Sequence, residues 1–201
     1  MAKRKTKKVK TEESKDILKD EKTAPSKILD PEDVVKYFKD KFNTNIISAN
    51  IKKRATGSKK KEFVNIWMKI NKSVFKDLIK HLCELTYPHL AVISGNDLGE
   101  NIELVYSFSI YYGRHLQEIS LNISVEIPKS NPEIETICDW IPGALVGERE
   151  KQEFLGVKFI GIPDTRRLFL PDDFPKGVYP WRKDKQPELE KLIRNLHEVK
   201  K

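Results

Sequence analysis

Residues 119–127 read Ile119-Ser120-Leu121-Asn122-Ile123-Ser124-Val125-Glu126-Ile127. Five apolar residues alternate with four polar ones. Successive side chains of a strand point to opposite faces, so the stretch predicts a strand over 117–127 that is buried on one side only. Upstream, Gly113-Arg114-His115 predicts a hairpin turn that leads back into a strand over 102–112, and His89 to Ser94 predicts another. Before these, Val74, Leu78, Leu82 and Leu85 share one side of a helix over 72–86. Further back, Val64, Ile66, Met68 and Ile70 share a strand face, and a Thr56-Gly57-Ser58 turn joins them to a strand carrying Ile47, Ala49 and Ile51. Order begins at Asp30, a suitable N-cap, followed by Pro31 at the first helical position and by Glu32 and Asp33 beside the positive end of the dipole. Val34, Phe38 and Phe42 then predict a helix over 31–42. One mostly antiparallel sheet with helices on one face is the natural layer arrangement for these elements, so the fold class is α+β.

After Pro128 the pattern changes. Short helices are predicted over 132–139 and over 144–155, the second ending at Gly156. A final helix over 187–198 opens with Pro187-Glu188 and carries Leu189, Leu192, Ile193 and Leu196. Between them, residues 157–186 have little periodicity. The domain reading is a basic arm over 1–27, an α+β domain over 28–147, and a docking segment with a terminal helix over 148–201.

The chain of 201 residues is 38% hydrophobic, enough for a real core, and 34% charged, against roughly 25% in an average soluble domain. Lys and Glu dominate the charge, while Gln occurs only at 117, 152 and 186, a bias reported for proteins of hyperthermophiles. Of the net charge of +8, residues 1–27 carry +5, so the basic character belongs mainly to an arm too poor in apolar residues to offset its ordering entropy. No apolar run reaches the ~18–20 residues that span a bilayer, and the N-terminus lacks a secretory signal, so an intracellular chain is expected.

The residues argue against a catalytic site. Cys83 and Cys138 stand alone, whereas an iron–sulfur cluster needs about four thiolates at set spacings. In a reducing compartment the two are expected to stay unpaired. His81, His89, His115 and His197 show no metal-ligand spacing, and no phosphate-binding loop occurs. Glu148 and Glu150 are two apart on a helix and cannot converge on one bond. Arg149 and Glu153, four apart, are instead expected to form an ion pair on a solvated or interfacial face. The irregular stretch is too aromatic for disorder, with Phe159, Phe169, Phe174, Tyr179 and Trp181 beside Arg166, Arg167 and Arg182. Aromatic and Arg side chains together are the composition of interface anchors.

Residues 148–184 resemble the signature region of the 30 kDa subunit family of NADH–quinone oxidoreductases, the respiratory complex I type. The matching elements are Glu148-Arg149-Glu150, then Glu153, Phe154-Leu155 and Gly156. A Gly-x-Pro-Asp-x-Arg-Arg run follows at Gly161 to Arg167, an apolar stretch ends at Leu170 to Asp173, and Pro180-Trp181-Arg182-Lys183-Asp184 closes the set. Where the family commonly has His this chain has Ile162 and Tyr179, and Val146-Gly147 replace the usual aromatics. With the Lys/Glu bias, these departures favour a relative in an archaeal membrane-bound [NiFe]-hydrogenase or sulfur-reducing complex, with the 30 kDa subunit of a NADH–quinone oxidoreductase proper as the alternative.

The resemblance implies a subunit without its own cofactor, peripheral on the cytoplasmic side of the membrane. Iron–sulfur clusters and, for a hydrogenase, a NiFe centre would sit in partner subunits. Those partners are a hydrogenase-like large subunit, an iron–sulfur small subunit and ion-translocating membrane-arm subunits. On that reading Glu148, Arg149, Glu150, Phe154, Phe159, Asp164, Arg166, Arg167, Phe169, Tyr179, Trp181, Arg182 and Asp184 form the partner interface. A reading of another class, nucleic-acid binding through the basic arm, lacks any recognised motif and would be nonspecific and salt-dependent.

Overall fold

The computed structural model describes residues 28–56, 61–113 and 117–192. Helix α1 (Pro31–Phe42) leads into strand β1 (Ile46–Thr56), which pairs antiparallel with β2 (Lys61–Ile70), with Thr56 opposite Lys61. Helix α2 (Phe75–Leu85) then carries the chain to β3 (His89–Asp97), β4 (Asn101–Ile110) and β5 (Ile119–Pro128), an antiparallel meander. The sheet order is β1-β2-β5-β4-β3. The β5 strand therefore slots between β2 and β4, and its pairing with β2 is parallel, with Ile66 opposite Leu121. The sheet is mostly antiparallel, as expected, with a single parallel pair.

Helices α1 and α2 lie on one face, as the apolar alternation requires. Val34 and Phe38 of α1 and Leu78, Ile79 and Leu82 of α2 are fully buried against Ile66, Met68, Tyr106, Phe108, Leu121 and Ile123. Each such side chain contributes roughly 1.5–3 kcal/mol on leaving water. The other face carries the polar partners of the alternation. Ser107 donates to Asn122 at 2.8 Å, and Ser124 donates to Glu103 at 2.6 Å.

Downstream of β5 one expectation is corrected. Residues 133–135 form a strand, β6 (Glu133–Glu135), parallel to β7 (Lys158–Ile160), where a helix over 132–139 was expected. Ile134 and Phe159 are opposite each other and buried, and the Lys158 N–H donates to the Pro132 carbonyl at 2.7 Å. A partner more than twenty residues away supplies the ladder, so Ile134 is buried by a strand rather than by a helical face. Helix α3 (Ala144–Leu155) ends at Gly156 as the sequence predicts. The last helix, α4 (Pro187–Leu192), begins at the expected Pro187, and residues 193–198 lie outside the described set, as do the basic arm and much of the two expected turns. No helix among the described residues is long and apolar enough to cross a membrane.

Candidate functional site: helix α3 and the strap it holds

The signature residues divide into three sets, according to where α3 turns their side chains. The first faces the core. Glu148 is completely buried, accepts hydrogen bonds from the Thr136 hydroxyl at 2.5 Å and the Ile137 N–H at 3.0 Å, and receives the Cys138 thiol at 3.4 Å. Its role is to clasp α3 to residues 136–138. Burial raises its pKa above the ordinary value, and the three donors oppose that rise without cancelling it. Close by, the Tyr106 hydroxyl is buried without a hydrogen-bond partner among the described residues, and burial, Glu148 and Cys138 push its titration well up. Cys83 and Cys138 are both free thiols, and burial pushes each up to about 11.

The second set grips the irregular segment 161–186, here called the strap. Arg149 donates from Nε to the Arg166 carbonyl and from Nη2 to the Arg167 carbonyl, both at 2.9 Å, and its third nitrogen lies 3.4 Å from Asp164. Glu153 accepts the N–H groups of Leu168 and Phe169, the latter at 2.9 Å. The expected Arg149–Glu153 ion pair is therefore not formed. Each side chain is drawn to backbone groups of the strap, which has no ladder of its own to satisfy them. Arg167 closes a turn by donating to the carbonyls of Pro171 and Phe174. Arg182 donates to the Leu155 carbonyl at 2.8 Å and lies 4.4 Å above the Tyr179 ring. Tyr179 in turn covers Gly156, whose φ of +71° places it in the left-handed region that closes a helix.

The strap's far end is tied to β3. Asp97, 3% exposed, accepts the Lys183 N–H at 2.7 Å and pairs with Lys129 at 2.7 Å, and Lys129 also reaches Asp184. Burial alone would raise the Asp97 pKa, but the bonds from Lys129, Lys183 and Gly99 outweigh it and hold it down at about 2. The linkage sign is that of a depressed carboxyl: its contribution is complete above pH 3.8 and disappears as pH falls towards 2. Acid titration of the wild type followed by circular dichroism should therefore show a loss of about 2 kcal/mol across that window that Asp97→Asn lacks.

The third set faces outward. Phe154 stacks on Trp181 at 4.7 Å and tilts against Phe169 at 5.8 Å, making one aromatic surface in which Phe169 is 59% and Trp181 42% exposed. Lys151, itself buried, lies 5.0 Å beneath the Trp181 ring and pairs with Glu150. Arg166 is held by both oxygens of Asp164, and this pairing keeps the carboxyl well below its usual range while leaving the guanidinium exposed. Of the residues singled out from the sequence, Phe154, Phe169 and Trp181 are thus brought together at the surface, and Arg166 is exposed elsewhere on the strap beside Asp164. Phe159 is buried in the chain's own core, and Arg167 and Arg182 turn inward. Residues that sequence reading passed over are Thr136, Asp97 and Lys129, polar side chains whose partners are distant in the chain. Among the described residues no group of three or more His, Cys, Asp or Glu is placed to hold a metal ion.

Comparison with known proteins fits this arrangement. The family model described as the respiratory-chain NADH dehydrogenase, 30 Kd subunit, matches residues 68–191, from β2 through the strap. The membrane-bound hydrogenase subunit beta of Pyrococcus furiosus is 37% identical over 131 residues, which are 65% of this chain and 75% of that protein. Formate hydrogenlyase subunit 5 of Escherichia coli is 36% identical over 98 residues, 47% of this chain but only 17% of that longer protein. A chain of the membrane-bound sulfane sulfur reductase, an archaeal respiratory membrane complex, shares the fold with a TM-score of 0.64 at 23% identity, over 85% of this chain and 95% of that one. The family match spans more than half of the sequence and includes every α3 and strap residue described above, and on that ground this chain belongs to the 30 kDa subunit family of the respiratory-chain NADH dehydrogenase.

Proposed function

We propose that this chain is a non-catalytic subunit of the hydrophilic arm of a membrane-bound, ion-translocating oxidoreductase of the hydrogenase type. It sits peripherally on the cytoplasmic side and docks a hydrogenase-like large subunit beside an iron–sulfur small subunit. The clusters, and a NiFe centre in a hydrogenase, belong to those partners. One observation carries the reading: α3 commits its polar side chains to holding the strap, and the strap holds Phe169 and Trp181 at the surface around Phe154. Large aromatics left exposed on a segment so thoroughly tied down are pre-organised for an interface, because little side-chain or loop entropy remains to be lost on binding. The hydrogenase assignment follows the identity with the Pyrococcus furiosus subunit and the absence of the family's usual His residues at Ile162 and Tyr179.

The test is affinity purification of the tagged chain from host membranes in mild detergent, with partners identified by mass spectrometry. A hydrogenase-like large subunit, an iron–sulfur subunit and antiporter-like membrane proteins are the expected companions. Trp181→Ala and Arg166→Ala should each lower recovery of the large subunit, consistent with a loss of about 2–4 kcal/mol for a central anchor. Equal recovery with both variants would show that the aromatic surface is not the docking face.

A further inference from the structure

The two edges of the main sheet differ in kind. At one edge α3 lies against β3: Ile93 is 3% exposed and sits where a Cβ on Gly147 would meet it. At the other edge β1, 11 residues long, has no further strand beside it, and Lys52, Lys53, Arg54 and Ala55 are all exposed. One bond fixes which of its backbone groups are unused. The Asn71 N–H donates to the Asn45 carbonyl at 2.9 Å, just beyond the Ile46–Ile70 pair, so the odd-numbered residues of β2 point their backbone groups at β1. Their partners across the ladder are Asn50, Lys52 and Arg54. Ala49, Ile51, Lys53 and Ala55, at the positions between, turn their N–H and C=O groups outward. No backbone bond among the described residues reaches them.

The side chains beside this edge carry one sign of charge. By the strand alternation Lys52 and Arg54 stand on the sheet face that the helices leave uncovered, opposite Asn65 and Phe63. Phe63 and Trp67, the latter opposite Asn50, are exposed on the same face. Among the described residues no ion pair or side-chain hydrogen bond reaches Lys52 or Arg54. The acids of this side are engaged elsewhere. Glu126 pairs with Lys69 at 2.5 Å, Glu103 accepts from Ser124 and Asn96, and Glu118 accepts from Ser109. Glu32 pairs with Lys53 at 2.9 Å, with Asp30 and Glu62 close to the same ammonium, and the alternation turns Lys53 to the helix face.

We propose that the β1 edge is a strand-addition site for an acidic segment of another protein, extended and with Asp or Glu at alternate positions. Its backbone pairs with Ile51 and Lys53, and its carboxylates, spaced like Lys52 and Arg54, meet those two side chains as cross-strand partners. Charge decides the occupant. A second copy would bring the same cations to the same edge, where like charges repel. A nucleic acid would satisfy the two cations but not the row of amides and carbonyls. The site lies at the opposite edge of the sheet from α3, and it stands whether or not the aromatic surface docks a large subunit.

Titration of the full chain with two short synthetic peptides tests the idea, one alternating Thr with Glu and the other Thr with Lys, followed by amide-resolved hydrogen exchange. The acidic peptide should bind about ten-fold more tightly than the basic one, the difference that two cross-strand charge pairs supply. At saturation it should slow the amides of Ile51 and Lys53 about ten-fold, while those of Lys52 and Arg54, bonded to β2, stay slow throughout. Lys52→Glu together with Arg54→Glu should leave the melting temperature unchanged and reverse the preference between the peptides. If neither peptide slows Ile51 and Lys53, or both slow them alike, the proposal is overturned. It fails too if the acidic peptide binds without protecting these amides, since the contact is then one of charge alone. Tighter binding of oligothymidylate at Lys52 and Trp67 would make this a nucleic-acid surface, and protection of the same amides in a dimer of the isolated chain would make the occupant a second copy. Either result overturns the acidic strand.

Discussion

Glu148→Ala is expected to lower the unfolding free energy by about 3–4 kcal/mol, measured by urea denaturation. The carboxyl is fully buried and receives the Thr136 hydroxyl, the Ile137 N–H and the Cys138 thiol. Truncation strands those donors in a site that water does not reach, and each unsatisfied buried group costs about 1–3 kcal/mol. An unchanged denaturation midpoint would mean that the clasp contributes nothing. Glu148→Gln separates hydrogen bonding from charge. Because burial raises the pKa of Glu148, the folded chain holds the proton more tightly than the unfolded chain does. Its contribution is complete below the ordinary value of 4.5 and declines as pH rises through the elevated one. The Gln variant should lack that decline, so the gap in stability between wild type and variant should narrow on going from pH 4 to pH 7. A gap that widens instead would overturn the direction assigned to Glu148.

Gly156→Ala should cost about 2–4 kcal/mol and loosen the strap at the same time. Two independent penalties meet at this position. The φ of +71° is unfavourable for any residue with a Cβ, and the added carbon would fall 2.5–2.7 Å from three atoms of the Tyr179 ring. Tyr179 cannot retreat alone, because Arg182 lies over it and the Trp181 N–H is bonded to the Phe154 carbonyl at 3.0 Å. The amide of Trp181 should therefore exchange faster in the variant. A double variant, Gly156→Ala with Tyr179→Ala, isolates the clash from the backbone strain. If the two substitutions act additively, within about 0.5 kcal/mol, the contact is not where the cost lies.

The strap shows how a segment without a repeat period can still be ordered. Residues 161–186 have neither a helical stripe nor a strand alternation, and local pattern therefore says nothing about their path. Their backbone groups are satisfied one by one from α3: Arg149 and Gln152 donate to the carbonyls of residues 165–167, and Glu153 accepts the amides of residues 168 and 169. Arg167 does the same work from within the strap, and Arg182 reaches back to the Leu155 carbonyl at the end of α3. Arg is therefore common here for reasons internal to the fold, and of the Arg side chains named as anchors, Arg166 is the one that the structure leaves exposed. Composition identified the segment as special, and geometry divided its residues between holding and presenting.

By itself the sequence determined the five strands of the main sheet, α1 and α2, and the end of α3 at Gly156, because period-two and period-3.6 alternation, an N-cap and a C-terminal glycine are local signals that burial on one face then enforces. It also marked residues 148–184 through a specific resemblance and an aromatic–arginine composition. Tertiary structure alone decided the rest. It placed β5 between β2 and β4, which no local pattern encodes. It made residues 133–135 a strand by supplying a partner from residues 158–160. It turned Glu148 inward, paired Asp97 with Lys129 across the fold, and took Arg149 from Glu153 to the strap. In each case a buried polar or apolar group had to be satisfied by whatever lay nearest in space, and nearness in space is set by packing rather than by spacing along the chain.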